Sequence, residues 1–247
     1  MARNRSQRLA VCQRRLVENW QTERFANREY EARYARGVIE RGRQQMGSGP
    51  RPHTPPPRPA GQLNTTDPDA RRMKQGRAFV PAYNAQAVTT EQQVAVIAAD
   101  VTTEGDDFEQ LDPMIAAAEH ELERAGVPQR PGVVLADAGY WSNGHIDRLR
   151  GRGMVPIVAP DTTRERPRKT RLGGPYDFMR RVIASDAGGG LFSQRQWMVE
   201  PVFAQIKANR RIDRFKRRGL AAARSEWRLI AATHNLLKLH QHGLAPT

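Results

Sequence analysis

The chain has 247 residues, enough for one domain with an extension or for two small domains. Its 40 Lys and Arg outnumber its 26 Asp and Glu, which gives a formal net charge of +14 and a pI near 11.0. Such a charge favours a polyanionic partner, either nucleic acid, an anionic membrane surface or a ribosome-like assembly. We expect no membrane span, because no run approaches the ~20 apolar residues that one needs. We also expect no secretion signal and, with a single cysteine, no internal disulfide.

The charge is unevenly distributed along the chain. Residues 1–60 hold 13 basic and 5 acidic side chains, residues 61–160 hold 9 and 14, and residues 161–247 hold 18 and 7. An acidic middle between two basic ends is expected when metal-binding carboxylates are framed by a phosphate-binding surface. An ordinary globular core with solvated acids would give the same distribution.

The N-terminal part predicts a long helix over residues 8–43, with sparse apolar residues in a polar stretch. Its apolar stripe is narrow, so we expect this helix to pack on a partner or to form a helical arm. Proline-rich residues 47–59 predict a stiff polyproline II spacer. The chain is therefore divided into a basic helical arm over residues 1–46, a linker over residues 47–62 and a domain over residues 63–247.

The order of elements in that domain predicts a mixed α/β fold. A loop is expected first, over residues 63–74, and a further loop or insertion over residues 162–190. Alternation and short apolar runs predict strands over residues 80–90, 93–101, 133–136 and 155–159. Apolar residues at helical spacing predict helices over residues 111–125, 143–152, 193–209 and 224–242.

A carboxylate closes the central predicted strand. The apolar run 133–136 ends directly in Asp137. Inside a buried strand an unpaired carboxylate would be costly, whereas at the carboxyl end of the strand it reaches the crevice where α/β folds bind ligands. The alternative is that Asp137 caps the turn that follows.

A second carboxylate, Glu200, lies in a predicted helix. Val199, Phe203 and Ile206 form its apolar stripe, and Glu200 and Lys207, seven residues apart, project near one another. Pro201 predicts that Glu200 lies near the start of this helix, where an acid also suits the helix dipole. The alternative is a surface helix with ordinary charge pairs.

Two carboxylates from distant segments suit Mg²⁺ or Mn²⁺, which prefer carboxylate oxygens and support phosphodiester chemistry. Such a site ordinarily needs a third acid, and spacing does not single one out. The candidates are Asp67, Asp69, Asp100, Asp106 and Asp107.

Basic side chains near the C-terminus predict contacts to DNA phosphates. Ile212 and Phe215 interrupt the run, so we expect it to be folded, although a merely solvated run is the alternative. The predicted DNA-binding residues are Arg195, Lys207, Arg210, Arg211, Arg214, Lys216, Arg217 and Arg218.

Several blocks together resemble the bacterial insertion-sequence transposases of the DDE type, over roughly residues 50–242. They are Asn64–Lys74, Tyr83–Ala87, Val134–Trp141, Arg195–Lys207 and Arg224–Leu239. The resemblance implies a ribonuclease-H-like mixed sheet flanked by helices in the domain over residues 63–247. It also implies cleavage and strand transfer of DNA ends with Mg²⁺ or Mn²⁺, acting on transposon ends and target DNA in the bacterial cytoplasm, near the nucleoid. A homodimer is left open.

The same resemblance implies that Asp137 is the second catalytic acid and Glu200 the third. Arg195, Glu200 and Lys207 resemble the signature helix of the family, with Phe192 where a tyrosine is expected. Both acids are then expected to bind the metal.

The front of the chain departs from the family pattern, because no Asp-Gly-Thr-like strand precedes the Thr66-Asp67-Pro68 block. We therefore expect a truncated chain without the first acid and without the DNA-end-binding domain, and Asp67 is a candidate replacement. The alternative function is a non-catalytic DNA-binding remnant. A ribosome-associated protein fits the charge but not the acidic middle.

Overall fold

A computed structural model describes most of the chain. The described residues are 4–41, 54–91, 95–161, 173–241 and 243. They belong to two compact units, Met1–Arg71 and Arg72–Thr247. The boundaries expected after residues 46 and 62 both fall inside the first unit, and the division into three segments stays a prediction. Within the described ranges, no helix is both long enough and apolar enough to cross a membrane.

The first unit contains helix α1, Arg5–Arg41. The predicted helix is thus confirmed as far as residue 41, and its last two residues lie outside the described part. The segment after the proline-rich stretch packs back onto α1: the Trp20 indole N–H donates to the Pro56 carbonyl at 2.6 Å, and Arg15 pairs with Asp69 at 2.8 Å. These contacts join the segment to α1 at Arg15 and Trp20, whereas Leu9, Val17 and Phe25 of the helix are exposed.

A short hairpin follows, formed by β1 (Arg71–Gln75) and β2 (Ala78–Ala82). The prediction of a loop over residues 63–74 is wrong for the residues in β1. This strand consists almost entirely of long polar side chains and so lacks the apolar alternation that indicates a strand. Gly76, at φ 60°, provides the left-handed backbone conformation of the tight turn.

Strands β3 (Asn84–Thr89) and β4 (Val96–Thr102) form an antiparallel pair with Ala85 opposite Val101. The prediction of one strand over residues 80–90 is wrong at its start, because the chain breaks after Ala82 into β2 and β3, which belong to different sheets. The prediction over residues 93–101 is confirmed for β4 from Val96, and residues 92–94 lie outside the described part. The side chain of Asn235 fixes the start of β4, because it accepts from the Val96 N–H and donates to the Val96 carbonyl, both at 2.8 Å.

The central predicted strand is confirmed residue for residue as β5, Val133–Ala136. It pairs in parallel with β6 (Val155–Val158), and helix α3 (Asn143–Gly151) forms the connection between them. Ile146 and Leu149 of α3 are buried in the core around these two strands. Asp137 therefore leaves the carboxyl end of a parallel strand, as expected.

The prediction of a loop over residues 162–190 is wrong for residues 174–190, and residues 162–172 lie outside the described part. Helix α4 (Gly174–Ala184) and helix α5 (Asp186–Ala204) occupy this region. Met179 of α4 is buried against the core. Gly188 permits the two helices to approach, since a Cβ there would lie 2.1 Å from the Val182 carbonyl oxygen. Gly188, one of the glycines that suggested a loop, is thus required by helix packing.

Two further helices complete the fold, α2 (Leu111–Arg124) and α6 (Leu220–Gln241), and both were predicted. One apolar core surrounds β5 and β6 and includes residues of α2, α3 and α4. Another joins β3 and β4 to α5 and α6. The described strands form three two-stranded sheets. The mixed α/β class is confirmed, and the ribonuclease-H-like arrangement stays a prediction.

Candidate active site at the carboxyl end of β5

Asp137 ends β5 and caps the 3-10 turn that follows it. One carboxylate oxygen, Oδ1, accepts the Gly139 N–H at 2.9 Å, and the other, Oδ2, lies 4.0 Å from the Arg195 guanidinium. The side chain is 48% exposed. The capping and ligand-binding interpretations are therefore compatible, because each uses a different oxygen of the same carboxylate.

Asp107 lies beside Asp137. A Cβ built on Gly139 would be 3.1 Å from Asp137 Oδ1 and 3.4 Å from Asp107 Oδ2, so the two carboxylates flank this glycine. Among the five candidates for a further acid, Asp107 is thus the one shown next to Asp137. Asp100 instead pairs with Arg224 at 3.0 Å.

A polar network on β3 holds Asp107. The Asn84 and Gln86 side-chain amides donate to Asp107 Oδ1 at 2.8 and 2.6 Å. The Tyr140 hydroxyl donates to the side-chain oxygen of Gln86, which is only 3% exposed. Sequence reasoning assigned no role to these amides. The signal was present, since Asn84 and Gln86 are two polar residues at period two in an otherwise apolar strand.

The hydroxyl of Tyr140 keeps its proton. Burial raises its pKa above the ordinary value of 10.0, and the negative charges of Asp107 and Asp137 raise it further, although the hydrogen bond to Gln86 lowers it. A neutral phenol beside two carboxylates is a hydrogen-bond donor in this cluster at any physiological pH.

Glu200 lies near the C-terminal end of α5, so the prediction that it lies near a helix start is wrong. Pro201 is inside the helix, which runs on into a π-helical turn over Gln205–Asn209. Val202 and Ile206 are almost fully buried, and their packing holds the helix through the proline.

Glu200 itself is exposed, and within the described part of the chain it has no hydrogen bond or ion pair. It follows Arg195 by five residues, which rotates it by about 140° around the helix axis. No group of three Asp, Glu, His or Cys side chains in the described ranges is placed to hold a metal ion. The convergence of Glu200 with Asp137 therefore stays a prediction.

The two cations of the signature helix rest on aromatic rings. The Arg195 guanidinium lies 5.7 Å from the Phe192 ring centroid, and Lys207 Nζ lies 5.4 Å from that of Phe203. Phe192, at the position where the resemblance predicts a tyrosine, thus contacts Arg195 through its ring face, a contact that needs no hydroxyl.

The basic run after Lys207 forms a folded loop. Arg210 is used inside the fold, where it donates to the Ile230 carbonyl at 3.2 Å and to Thr233 Oγ1 at 2.7 Å. The Glu226 carboxylate accepts the backbone N–H groups of Lys216 and Arg217, each at 2.9 Å. The other basic residues of the loop that were predicted to bind DNA are exposed: Arg211, Arg214, Lys216, Arg217 and Arg218.

Asp67 lies in the first unit and is 8% exposed. Its Oδ1 accepts the Asp69 N–H at 3.3 Å, and its carbonyl accepts the Ala70 N–H at 3.1 Å. This is the turn-forming use of an aspartate before proline. That Asp67 replaces the missing first catalytic acid stays a prediction.

Comparison with known proteins identifies the family. The family described as "Transposase DDE domain" matches residues 50–236. Neither the curated proteins nor the solved structures gave a match. Since the matched stretch exceeds half of the chain, the chain belongs to the transposases with a DDE domain, DNA-binding proteins of DNA transposition that generally use divalent metal ions.

Proposed function

We propose that this chain cleaves insertion-sequence DNA ends and joins them to target DNA in a reaction that requires Mg²⁺ or Mn²⁺. The observation that carries the proposal is the position of Asp137, half-exposed at the carboxyl end of β5 with Asp107 beside it. Two carboxylates fit the metal, because Mg²⁺ is commonly held by one or two of them together with waters and substrate phosphate.

Asp137 and Asp107 would hold the metal, and Glu200 is the proposed third acid. When bound, the metal activates the attacking oxygen and neutralises charge at the phosphate. Glu200 has no described partner, so it is available for a substrate-bound arrangement. In that arrangement Glu200 would have to change its position relative to Asp137. Bound DNA would have to stabilise the new position.

The other residues of the cluster would position the DNA. Arg195 makes no hydrogen bond to a described residue, so its guanidinium is available to form two parallel hydrogen bonds to a phosphate. Lys207 adds a second cation on the same helix. Water and then a DNA 3′-hydroxyl are the attacking groups, so no protein nucleophile is required.

The exposed cations of the loop over residues 210–219 would bind the DNA backbone. Five of them project from one short loop that Glu226 holds in place. Phosphate contacts of this kind are independent of base sequence and weaken steeply with salt. Arg210 is not included, because it bonds to α6.

The test is nicking of supercoiled plasmid DNA by the whole chain with Mn²⁺ or Mg²⁺. Nicking is expected for the parent, and Asp137→Asn and Glu200→Gln should each abolish it. Asp147→Asn, an exposed acid on α3, is the matched control and should leave nicking unchanged. Mn²⁺ titration followed by paramagnetic resonance gives a second readout, in which Asp137→Asn should lose affinity.

The second candidate is a DNA-binding protein without catalysis. It is favoured by the position of Glu200 and by the lack of a three-residue metal group in the described ranges. DNA binding without nicking under either metal, together with equal Mn²⁺ affinity of the parent and Asp137→Asn, would establish it.

A further inference from the structure

The β1–β2 hairpin holds a concentration of positive charge that the candidate site does not use. Residues 61–160 contain nine basic side chains, and four of them lie within residues 71–77: Arg71, Arg72, Lys74 and Arg77. No acidic residue occurs in the sequence from residue 70 to residue 83. Cations that no acid interrupts, within an otherwise acidic stretch, indicate that the hairpin presents a surface to a polyanion.

Alternation along the two strands places cations and an aromatic ring on the outer face of the hairpin. Arg72 and Lys74 of β1 are exposed, whereas Met73 between them is half-buried. On β2, Phe79 is 58% exposed and Val80 is half-buried. The Arg72 guanidinium lies 5.1 Å from the Phe79 ring centroid, so the exposed side chains of both strands share one face.

The inner face of the hairpin packs beside the candidate active site. A Cβ built on Gly105 would lie 3.9 Å from the Met73 Cγ. Gly105 belongs to the loop between β4 and α2, which also carries Asp107, the carboxylate next to Asp137. Because Met73 points toward this loop, its neighbours along β1 point to solvent.

The turn of the hairpin is open to solvent. A Cβ built on Gly76 would meet no atom of the described chain within 4 Å beyond its sequence neighbours, and Arg77, which follows it, is exposed. A two-stranded ribbon fits the major groove of B-DNA, as an α-helix does. An open turn and a cationic outer face suit that groove, because phosphates line both of its sides.

We propose that the β1–β2 hairpin binds duplex DNA in its major groove, beside the phosphodiester that the candidate site would cut. Lys74 and Arg77 would bind phosphates at the rim of the groove, and Phe79 would contact base edges such as thymine methyl groups. This inference rests on the proposed function, since it gives the same DNA a second contact. It shares no residue with the loop over residues 210–219, and it adds an apolar contact to the phosphate contacts of that loop.

The first experiment measures the affinity of the whole chain for a labelled duplex of mixed sequence at several salt concentrations, with a chelator present. Each phosphate contact contributes about 0.9 to the slope of log affinity against log salt concentration. The double variant Lys74→Gln, Arg77→Gln should therefore reduce the magnitude of that slope by roughly two. The matched control is Arg124→Gln, Arg150→Gln, which removes two exposed cations from α2 and α3 and should leave the slope unchanged.

A further variant separates the aromatic ring from the cations. Phe79→Ser should weaken binding roughly fivefold at every salt concentration, through the loss of buried apolar surface. The slope should equal that of the parent, because an apolar contact releases no counterions. Phe178→Ser is the matched control, since Phe178 lies on α4 and is 48% exposed, and it should keep the affinity of the parent.

Backbone amide exchange of the parent gives a readout that needs no substitution. Bound duplex should slow the exchange of amides in residues 72–82 by at least roughly tenfold, whereas exchange in α3 should not change. An unprotected hairpin would overturn the proposal.

The salt series offers two further ways to overturn it. If Lys74→Gln, Arg77→Gln kept the slope of the parent, or if the α2–α3 control reduced the slope equally, the hairpin would have no phosphate contacts of its own. If Phe79→Ser bound DNA as tightly as the parent, insertion into the groove would be refuted. Because these assays contain no divalent metal, a protected hairpin in a chain that never nicks DNA would refute the proposed cleavage and leave the hairpin contact standing.

Discussion

The hydroxyl of Tyr140 donates a hydrogen bond to the side-chain oxygen of Gln86. This contact joins the turn after β5 to β3, two elements that no described strand pairing connects. Gln86 also donates to Asp107 Oδ1 and to Asn84 Oδ1, at 2.6 and 2.9 Å. The buried side-chain amide of Gln86 therefore binds both Asp107 and Tyr140.

Replacing Gln86 with Leu should destabilise the protein by about 2–3 kcal/mol. The substitution leaves the half-buried Tyr140 hydroxyl without its partner and the Asp107 carboxylate with Asn84 as its remaining donor in this network. An unsatisfied polar group costs roughly 1–3 kcal/mol, and the weakened carboxylate adds to that cost. Urea denaturation of the parent and of Gln86→Leu measures the difference.

A double substitution tests whether the hydrogen bond is the cause. Tyr140→Phe removes the hydroxyl that Gln86→Leu would leave unpaired, so the two changes together should cost less than the sum of the single changes. Strictly additive costs would show that Gln86 and Tyr140 do not interact in the folded protein.

The free energy of unfolding should fall as pH rises above about 10, and Tyr140 should account for part of this fall. Burial, then Asp107 and Asp137, raise its pKa above 10.0 in the folded state, so only the unfolded state releases this proton at that pH. The stabilisation is fully present below the unfolded pKa and is lost above it.

The measurement is urea denaturation of the parent and of Tyr140→Phe at several values between about pH 8 and pH 11. The other titrating groups are common to both proteins and cancel in the difference. The difference should be constant at the lower values and should shrink above pH 10. A constant difference throughout would show that the tyrosine titrates normally.

Local sequence signals predicted the β5 region well and the α4–α5 region poorly. β5 is a short apolar run bounded by polar residues, and its limits in the structure agree with those predicted. The start of α5 contains Gly188, Gly189 and Gly190, which indicate a loop by propensity. Whether such a run is helical depends on what packs against it, and that is a tertiary property.

Some residues of the candidate site were likewise predictable from the sequence, and others were not. Asp137 was predictable because a strand ended on it, whereas the neighbouring Asp107 was one of five acids with no distinguishing spacing. The position of Glu200 near the C-terminal end of α5 was not predictable from Pro201, because the buried Val202 and Ile206 hold the helix together past the proline. Long-range packing decided both positions.

Replacing Gly188 with Ala should destabilise the protein by about 1–3 kcal/mol or more, as overpacking does. The new Cβ would lie 2.1 Å from the Val182 carbonyl oxygen, so α4 and α5 would have to separate. Thermal unfolding followed by circular dichroism measures the loss.

Gly190 is the matched control, two residues further along the same helix. A Cβ there meets nothing within 4 Å, so Gly190→Ala should stabilise α5 by about 0.5–1 kcal/mol through reduced backbone entropy. Equal effects of the two substitutions would contradict the helix contact at Gly188.

Replacing Glu226 with Ala should weaken DNA binding, although it removes a negative charge from a DNA-binding surface. The Glu226 carboxylate accepts the backbone N–H groups of Lys216 and Arg217 and so holds the loop that presents the exposed cations. Without the Glu226 carboxylate, the loop becomes ordered only when DNA binds. The conformational entropy lost in that ordering makes the binding free energy less favourable. We expect a roughly three- to tenfold loss of affinity, about 1 kcal/mol.

Asp213→Ala separates the positioning effect from the charge effect. Asp213 lies in the same loop, its side chain is 60% exposed, and its ion pair is with the adjacent Arg214. Asp213→Ala changes the net charge by the same amount as Glu226→Ala. It leaves the hydrogen bonds from the Lys216 and Arg217 N–H groups to Glu226 intact, so the affinity for DNA should rise. Fluorescence anisotropy of a labelled duplex at one fixed salt concentration measures both variants. If both bound DNA more tightly than the parent, charge alone would govern the loop, and the role of Glu226 in positioning it would be refuted.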